Sequence, residues 1–220
     1  NPEFWHVGVD RPGDNLYANS IVAFDINLKE IKWYFQETPH DLWNFDLAAT
    51  PILTTLKREG KNIDVVVVVS KRGNTYILDR ESGLSLFKIS KKRSPVSNVP
   101  GEKTSPYQLK VDLPEPICIN KMTENELSDL PYVNKKKLKE IFSKSETGFP
   151  IPPKIGTKNI QLSGCVRWAG ASIDTKKNIM YVSTDKSAYL VSIINNPGWI
   201  GRYTHKWEQF VDEKNYPAVK

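Results

Sequence analysis

One strand–turn–strand pattern occurs twice in the sequence, and this repetition constrains the fold more than any other feature. The first copy covers residues 20–35 and places a turn at Asp25 between two short strands. The second copy covers residues 74–88 and places a turn at Asp79. Asp79 stands 54 residues after Asp25, and this spacing is typical of a four-stranded β-propeller blade.

Further strands are predicted around these two copies. In the second copy, the strand that returns from the turn is predicted over residues 84–87, and other strands are predicted at 64–70 and 179–184. A third and weaker copy is predicted over residues 188–199. The chain is therefore predicted to be all-β and to hold roughly three to four propeller blades. Such an arc leaves open blade faces, so we expect the remaining blades or another chain to complete it.

Composition and charge exclude several classes of protein. The chain has 39% hydrophobic and 25% charged residues, which is ordinary for a globular protein and argues against disorder. Its net charge of +6 includes lysine-rich clusters at 91–93 and 135–137, but aromatic residues do not interleave with them, so we predict no nucleic-acid partner. The longest apolar run, residues 65–69, is far shorter than the roughly 18–20 residues of a membrane helix, so any anchor is expected outside this sequence.

The chain contains two cysteines, Cys118 and Cys165. They could pair in an oxidising compartment, but two thiols so far apart in sequence do not form a disulfide framework. The prediction favours two buried thiols over a bridge.

Residues 31–46 combine a predicted strand with a loop that carries polar groups. Apolar and polar residues alternate at the start of this stretch, which favours a strand. Bulky aromatics, Trp43 and Phe45, then interleave with four polar residues: His40, Asp41, Asn44 and Asp46. A plain surface turn would instead contain Gly, Ser or Asn. The loop is therefore predicted to bind or react with something.

The same stretch carries a resemblance to a known family. Residues 33–46, together with Ser-Lys-Arg-Gly-Asn at 70–74 and Leu-Asp-Arg at 78–80, resemble the pyrroloquinoline quinone (PQQ)-dependent dehydrogenases, or quinoproteins. The membrane-type glucose dehydrogenase branch is the most similar. Further matching segments occur in the same order at residues 1–2, 11–15, 100–106, 150–153 and 168–170.

This resemblance implies a fold and a chemistry. The fold is an eight-bladed propeller, of which this chain would be a partial arc, with Trp33 packed between blades. The chemistry is the oxidation of a sugar or alcohol, in which a carboxylate removes a proton while hydride passes to PQQ. Ca²⁺ and a cationic side chain polarise the quinone carbonyl.

Catalytic positions follow from the resemblance residue by residue. Lys71 matches the lysine that contacts the quinone. Asn44, 27 residues before Lys71, stands where the family has an Asp that serves as general base and calcium ligand. An amide can bind calcium through its oxygen but cannot take a proton. Three explanations stay open: Asp46 replaces the base, Asp41 replaces it, or this copy has little activity.

Other matching residues surround this centre. His40 and Asp41 are predicted to shape the pocket wall, and a packed structural His40 is an equal alternative. Trp168 matches a residue beside the quinone, and Asn1 matches a calcium ligand. Arg80 is expected to brace the blade turn rather than to contact ligand.

An insertion is predicted within the single propeller domain, residues 1–220. Residues 90–165 interrupt the repeat, and residues 94–153 within them are the predicted insertion. It contains a capping box at Thr123 and Glu126 and a short helix over residues 135–144 that is capped by Asn134. By analogy with the family, we expect this insertion to form a lid or docking surface near the substrate entrance.

The resemblance also implies partners and a compartment. The expected partners are a sugar or alcohol and a membrane quinone or another electron acceptor. The expected location is the periplasm, with membrane association through a segment outside this chain. The alternative function is a non-catalytic propeller scaffold, which Asn44 favours.

Overall fold

The computed structural model describes residues 6–162, 164–198 and 202–219. Within that part, strands dominate, as predicted, and no helix is long and apolar enough to cross a membrane. The strands are β1 (Ser20–Asp25), β2 (Glu30–Gln36), β3 (Ile52–Arg58), β4 (Lys61–Val69), β5 (Thr75–Asp79), β6 (Ile89–Arg93), β7 (Tyr107–Val111), β8 (Ser145–Thr147), β9 (Lys158–Leu162), β10 (Ala171–Asp174), β11 (Ile179–Val182), β12 (Ala188–Asn195) and β13 (Tyr203–Gln209). A 3₁₀ helix covers Glu124–Glu126, and helix α1 covers Lys135–Ser143.

The strands form separate small sheets rather than one continuous sheet. The pairs β1–β2, β6–β7 and β10–β11 are two-stranded, whereas β3–β4–β5 is three-stranded. The largest sheet has the order β13–β12–β9–β8, in which only the β8–β9 pair is parallel among the described strands. Short sheets joined by tight turns are the expected local architecture of propeller blades.

The two predicted turns are built in the same way. The carboxylate of Asp25 accepts hydrogen bonds from the backbone N–H groups of Asn27 and Leu28, each 2.9 Å away. The carboxylate of Asp79 accepts the equivalent bonds from Glu81 and Ser82. Each turn ends on a residue with positive φ, Lys29 at 58° and Gly83 at 72°.

The predicted third copy at residues 188–199 is wrong in its position. The carboxylate of Asp174 accepts bonds from the N–H groups of Lys176 and Lys177, and Asn178 has a φ of 55°. The third turn of this kind therefore joins β10 to β11. Strand β12 instead pairs with β9 and with β13, so its connection is of another type.

Trp33 packs one blade against the next, as predicted. Its indole N–H donates a 3.0 Å hydrogen bond to the carbonyl oxygen of Arg80. Its ring lies so close to Gly83 that a Cβ at that glycine would stand 2.6 Å from the ring carbons. Arg80 braces the turn through an ion pair with Asp64. The side chain on β2 thus docks onto the turn after β5.

Two strand predictions need correction. Residues 84–87 do not form a strand, because only Ser85 bridges Leu78, although Leu86 still donates a 2.9 Å bond to Ile77. Strand β3, which pairs with β4 along its whole length, was not predicted. The valine run of β4 is central because it hydrogen-bonds on both sides and is almost completely buried.

The helical part of the predicted insertion packs onto the last sheet. Thr123 and Glu126 form the predicted capping box, and the side chain of Asn134 accepts a bond from Lys137 N–H at the start of α1. Leu138 of α1 is completely buried in a cluster that includes Leu190 and Phe210. The helical part of the insertion therefore belongs to the core of the C-terminal sheet.

Cys118 and Cys165 form a disulfide, so the prediction of two free thiols is wrong. The bridge joins residues 47 apart in sequence whose Cα atoms lie 6.0 Å apart. Spacing alone could not show that the segments around residues 118 and 165 converge on one turn. Both cysteines are held beside the loop that follows β4, as described below.

The pair β1–β2 exposes an apolar face. Val22 lies opposite Tyr34, and Phe24 lies opposite Ile31. Phe24 is 55% exposed, and the other three are at least 39% exposed. This face matches the predicted open blade face, since a partner sheet normally covers such a surface.

Candidate active site

The loop between β2 and β3 carries most of the predicted site residues, and Asp41 organises it. One carboxylate oxygen accepts from Trp43 N–H, and the other accepts from Phe45 N–H and from the Asn19 amide, all at 2.8 Å. Burial raises the pKa of Asp41, while these hydrogen bonds and Arg11 oppose the shift. Both oxygens are therefore engaged in shaping the loop.

His40 anchors the same loop from the other side. Its Nδ1 lies 2.7 Å from the Gly13 carbonyl oxygen, and its Nε2 lies 2.6 Å from a carboxylate oxygen of Glu102. Glu102 also accepts a 2.5 Å bond from Gly8 N–H. His40 is buried with a φ of 46°, a conformation that the surrounding bonds must hold. These are the contacts of a packed structural residue.

Lys71 meets the loop at Asn44 and Asp46. Lys71 stands in the turn after β4, and its ammonium pairs with the carboxylate of Asp46. The ammonium also donates a 3.3 Å bond to the Asn44 carbonyl oxygen. The side chains of Lys71 and Asp46 are each 13% exposed, so the pair is largely desolvated. The structure therefore brings together three of the predicted catalytic residues.

Lys71 lines a cavity of about 300 Å³, which we call the Trp168 cavity. Trp168 is 78% exposed beside it, and the rings of Tyr189 and Trp207 are stacked with their centroids 3.9 Å apart. The lining residues are His6, Asn44, Lys71, Gln161, Gly164, Arg167, Trp168, Tyr189, His205 and Trp207. Aromatic faces and two cationic side chains thus surround one space.

A second cavity of about 290 Å³, which we call the Phe149 cavity, is also lined by Lys71. Its aromatic wall contains Trp43, Phe45 and Phe149, with amides from Asn120 and Asn159 nearby. Lys71 and Gln161 line both cavities. The lysine therefore stands at a boundary between two spaces.

A buried ionic cluster lies behind Lys71. Glu37 is completely buried, and one of its oxygens accepts bonds from Ser70 (2.7 Å), Asn74 (3.0 Å) and Tyr76 (3.0 Å). An Arg72 nitrogen lies 4.0 Å from the same oxygen. Burial raises the pKa of Glu37, and the charge of Arg72 opposes that shift. Lys71 is thus flanked by residues fixed in the core.

Sequence reasoning missed several residues of the Trp168 cavity. Arg167 adjoins Trp168 in the matched segment and could have been found there, and it pairs with Asp185 at 2.8 Å. Nothing in the sequence indicated Tyr189 and Trp207, which are brought together by the register of β12 and β13.

Burial, followed by the neighbouring His205, lowers the pKa of His6 to about 3, so this ring is neutral.

Of the two predicted metal ligands, Asn44 and Asn1, the structure describes only Asn44. Asn44 lines the Trp168 cavity, whereas Asn1 lies outside the described residues. Among the described residues, no group of three or more His, Cys, Asp or Glu could hold a metal ion.

Comparison with known proteins identifies the family. The sequence profile of the PQQ glucose/ethanol/alcohol dehydrogenase β-propeller domain matches residues 1–217. The chain belongs to this family. The match confirms both the predicted resemblance to quinoproteins and the propeller class of the fold.

Curated relatives of this PQQ-family chain act on different substrates, to judge by their names. A quinoprotein glucose dehydrogenase of Escherichia coli (strain K12) is 32% identical over 107 residues, which are 49% of this chain and 13% of the relative. A quinoprotein alcohol dehydrogenase of Pseudomonas putida is 41% identical over 83 residues, which are 38% of this chain and 14% of the relative. The glycerol dehydrogenase large subunit of Gluconobacter oxydans is 23% identical over 182 residues, covering 80% of this chain and 24% of the relative.

Solved structures show the same fold over nearly the whole chain. A europium-containing methanol dehydrogenase matches 99% of this chain with a TM-score of 0.57 and 18% identity. A quinohemoprotein alcohol dehydrogenase from Comamonas testosteroni matches 99% with a TM-score of 0.53 and 20% identity. The chain covers 33% and 29% of these structures, so it spans about one third of the length of such a protein.

Proposed function

We propose that this chain forms the cofactor-facing part of a PQQ-dependent dehydrogenase that oxidises a sugar or an alcohol. The observation that carries the proposal is the convergence of Lys71, Asn44 and Trp168 on one cavity. These residues are far apart in sequence and match separate segments of the quinoprotein family. A scaffold has no physical need to place a desolvated lysine among exposed aromatic faces.

The residues around the Trp168 cavity fit PQQ, which is a planar, anionic quinone. Trp168 and the Tyr189–Trp207 pair offer aromatic faces on which a planar ring can stack. Arg167 and Lys71 supply positive charge for its carboxylates and carbonyl oxygen. Bound PQQ would supply the hydride acceptor of the reaction.

Lys71 and Asp46 have the two remaining roles in the proposed reaction, charge stabilisation and proton removal. Lys71 donates hydrogen bonds and positive charge to an oxygen on which negative charge develops. Asp46 is the proposed base for the hydroxyl proton, because it lies in the same loop as Asn44 whereas both Asp41 oxygens are held by the loop. Asn44 lines the cavity but has no carboxylate with which to act as base.

A calcium ion at Asn44 would need further oxygen ligands, and the residue roles proposed here do not depend on it. The Phe149 cavity suits a sugar or alcohol, since it combines aromatic walls with a few amide groups. Insertion residues 94–153 contribute part of that wall, which supports a lid role.

The proposed setting of the enzyme is the periplasm. The Cys118–Cys165 disulfide supports this, because such bonds persist in oxidising compartments. Electrons are proposed to pass to a membrane quinone or another acceptor. The remaining blades, or another chain, would cover the apolar face of β1–β2.

The test is a PQQ titration of the longest natural protein that contains this chain, with and without Ca²⁺, followed by quenching of tryptophan fluorescence. Lys71→Ala is expected to weaken binding by at least about tenfold because it removes a desolvated cation. Lys158→Ala is the control, since Lys158 is a half-exposed lysine that pairs with Glu208 on β13. Absence of saturable binding by the unsubstituted protein would refute the proposal.

The second candidate is a non-catalytic propeller scaffold, and Asn44 favours it. Replacement of Asn44 by Asp restores the family's carboxylate, and dye-linked alcohol or glucose oxidation measures its effect. If Asp46 is the base, Asn44→Asp changes turnover little, whereas Asp46→Asn lowers it by about 100- to 10,000-fold. No turnover in the unsubstituted protein, together with a gain in Asn44→Asp, identifies a scaffold that lost its chemistry.

A further inference from the structure

The turn that carries Lys71 has few bonds of its own. It spans residues 70–74 between β4 and β5. Within it, Gly73 N–H donates to the Ser70 carbonyl oxygen at 2.8 Å, and Ser70 N–H donates to the Asn74 carbonyl oxygen at 3.0 Å. Neither bond involves Lys71 itself. Other parts of the chain must therefore fix the lysine backbone.

Two distant segments supply that support. Cys165 N–H donates a 2.7 Å bond to the carbonyl oxygen of Lys71. Ile117 N–H donates a 2.8 Å bond to the carbonyl oxygen of Gly73, two residues further along the turn. The Cys118–Cys165 disulfide joins these two segments covalently. The turn is thus hydrogen-bonded at two points to the segments at 117–118 and 164–165, which the disulfide joins.

Close packing accompanies these bonds. A Cβ at Gly73 would lie 2.7 Å from the backbone nitrogen of Cys118. A Cβ at Gly164 would lie 2.4 Å from the side chain of Lys71. The residues beside the disulfide therefore approach the turn as closely as backbone atoms can, and only glycine permits this approach.

We infer that the Cys118–Cys165 disulfide is a positioning element for Lys71, and that it holds the ammonium at the boundary between the two cavities. This inference rests on the proposed function of Lys71 in binding PQQ. Without the bridge, the segments at 117–118 and 164–165 can separate, and both hydrogen bonds to the turn weaken together. The disulfide does not itself react with substrate or cofactor.

The test compares the double variant Cys118→Ala/Cys165→Ala with the unsubstituted protein. Alanine is used because Cys165 is buried and a serine hydroxyl there would need a partner. Val166→Ala is the matched control, since it trims a completely buried neighbour and leaves the disulfide intact. Two quantities are measured on folded protein: the PQQ dissociation constant, and hydrogen exchange of the amides at residues 70–74, 117 and 165.

The double variant is expected to raise the PQQ dissociation constant by about 10- to 100-fold, because small displacements of a positioned group have large effects. Exchange at the named amides is expected to be about tenfold faster or more. Val166→Ala should lower the unfolding temperature but change the dissociation constant by less than about twofold. An unchanged dissociation constant in the double variant, or an equal change in Val166→Ala, overturns the inference.

Failure of the proposed function gives a different result. In that case the unsubstituted protein does not bind PQQ, and hydrogen exchange alone decides whether the disulfide holds the turn. Faster exchange at residues 70–74 in the double variant, but not in Val166→Ala, supports the positioning of the turn. Equal exchange in all three proteins overturns it.

Discussion

Replacement of Arg72 by Met should destabilise the protein strongly, because the Arg72 side chain is buried and bonded within the core. Its guanidinium donates a 2.7 Å bond to the Leu109 carbonyl oxygen and lies 3.8 Å from the centre of the Phe149 ring. It also lies 4.0 Å from Glu37, whose side chain has no exposure to solvent. Methionine fills similar volume but removes the charge and the donors.

The expected loss is about 3–5 kcal/mol of unfolding free energy at pH 7, since removal of one member of a buried pair leaves the other charge uncompensated. For a protein of this size, that corresponds to a fall of about 6–20 °C in the unfolding temperature. The double variant Glu37→Gln/Arg72→Met removes both charges. It should recover most of the loss, because Gln still offers an oxygen to Ser70, Asn74 and Tyr76.

The penalty should depend on pH. Burial already raises the pKa of Glu37 above its ordinary value of 4.5, and the loss of Arg72 raises it further. Between 4.5 and the raised pKa, folded Glu37 keeps a proton that the unfolded chain has released. Stability of the variant therefore falls as pH rises through this window, by at most about 1.4 kcal/mol per pH unit. The penalty at pH 7 should exceed that at pH 5.

Urea unfolding at pH 5 and pH 7, performed on both variants and on the unsubstituted protein, measures these differences. The acid sensitivity that other groups cause is common to all three proteins and cancels in the comparison. A loss below about 1 kcal/mol, a penalty that does not vary with pH, or a double variant as unstable as Arg72→Met would refute the reasoning.

Two further predictions concern other parts of the chain. Gly83→Ala should lower the unfolding free energy by about 2–4 kcal/mol, because the new Cβ meets Trp33 and the backbone has a positive φ. Gly60 has a φ of 77° and nothing within 4 Å of the added Cβ, so Gly60→Ala should lower the unfolding free energy by only about 1 kcal/mol. Thermal unfolding compares the two, and equal losses would show that the Trp33 contact is unimportant. His6 has a folded pKa of about 3 against an ordinary 6.5, so stability should fall as pH drops below 6.5. His6→Gln should flatten this dependence in unfolding measured at pH 7 and pH 5, and an unchanged slope would contradict the assignment.

The sequence predicted features that neighbouring residues determine. The turns at Asp25 and Asp79, the capping box at Thr123 and helix α1 each depend on residues within a few positions of one another. Trp33 was predicted correctly because the quinoprotein resemblance implies a tryptophan packed between blades. The third turn, at Asp174, was not predicted, and the third copy was placed instead at residues 188–199.

Contacts between distant segments could not be predicted in the same way. The bridge between Cys118 and Cys165 forms because two loops come together at the Lys71 turn, and no local sequence pattern indicates that contact. The same applies to Glu37 and Arg72, which lie together in the core although no local sequence pattern indicates their contact. The family resemblance placed Lys71, Asn44 and Trp168, whereas Tyr189 and Trp207 became visible only through strand register.

The exposed face of β1–β2 has a practical consequence for work on this chain. Phe24, Tyr34 and their neighbours form an exposed apolar surface on a sheet with an open edge. The isolated 220-residue polypeptide should therefore self-associate as its concentration rises. Its sedimentation behaviour would then depend on protein concentration and on added salt or detergent. Ligand titrations with the isolated polypeptide would measure aggregation as well as affinity.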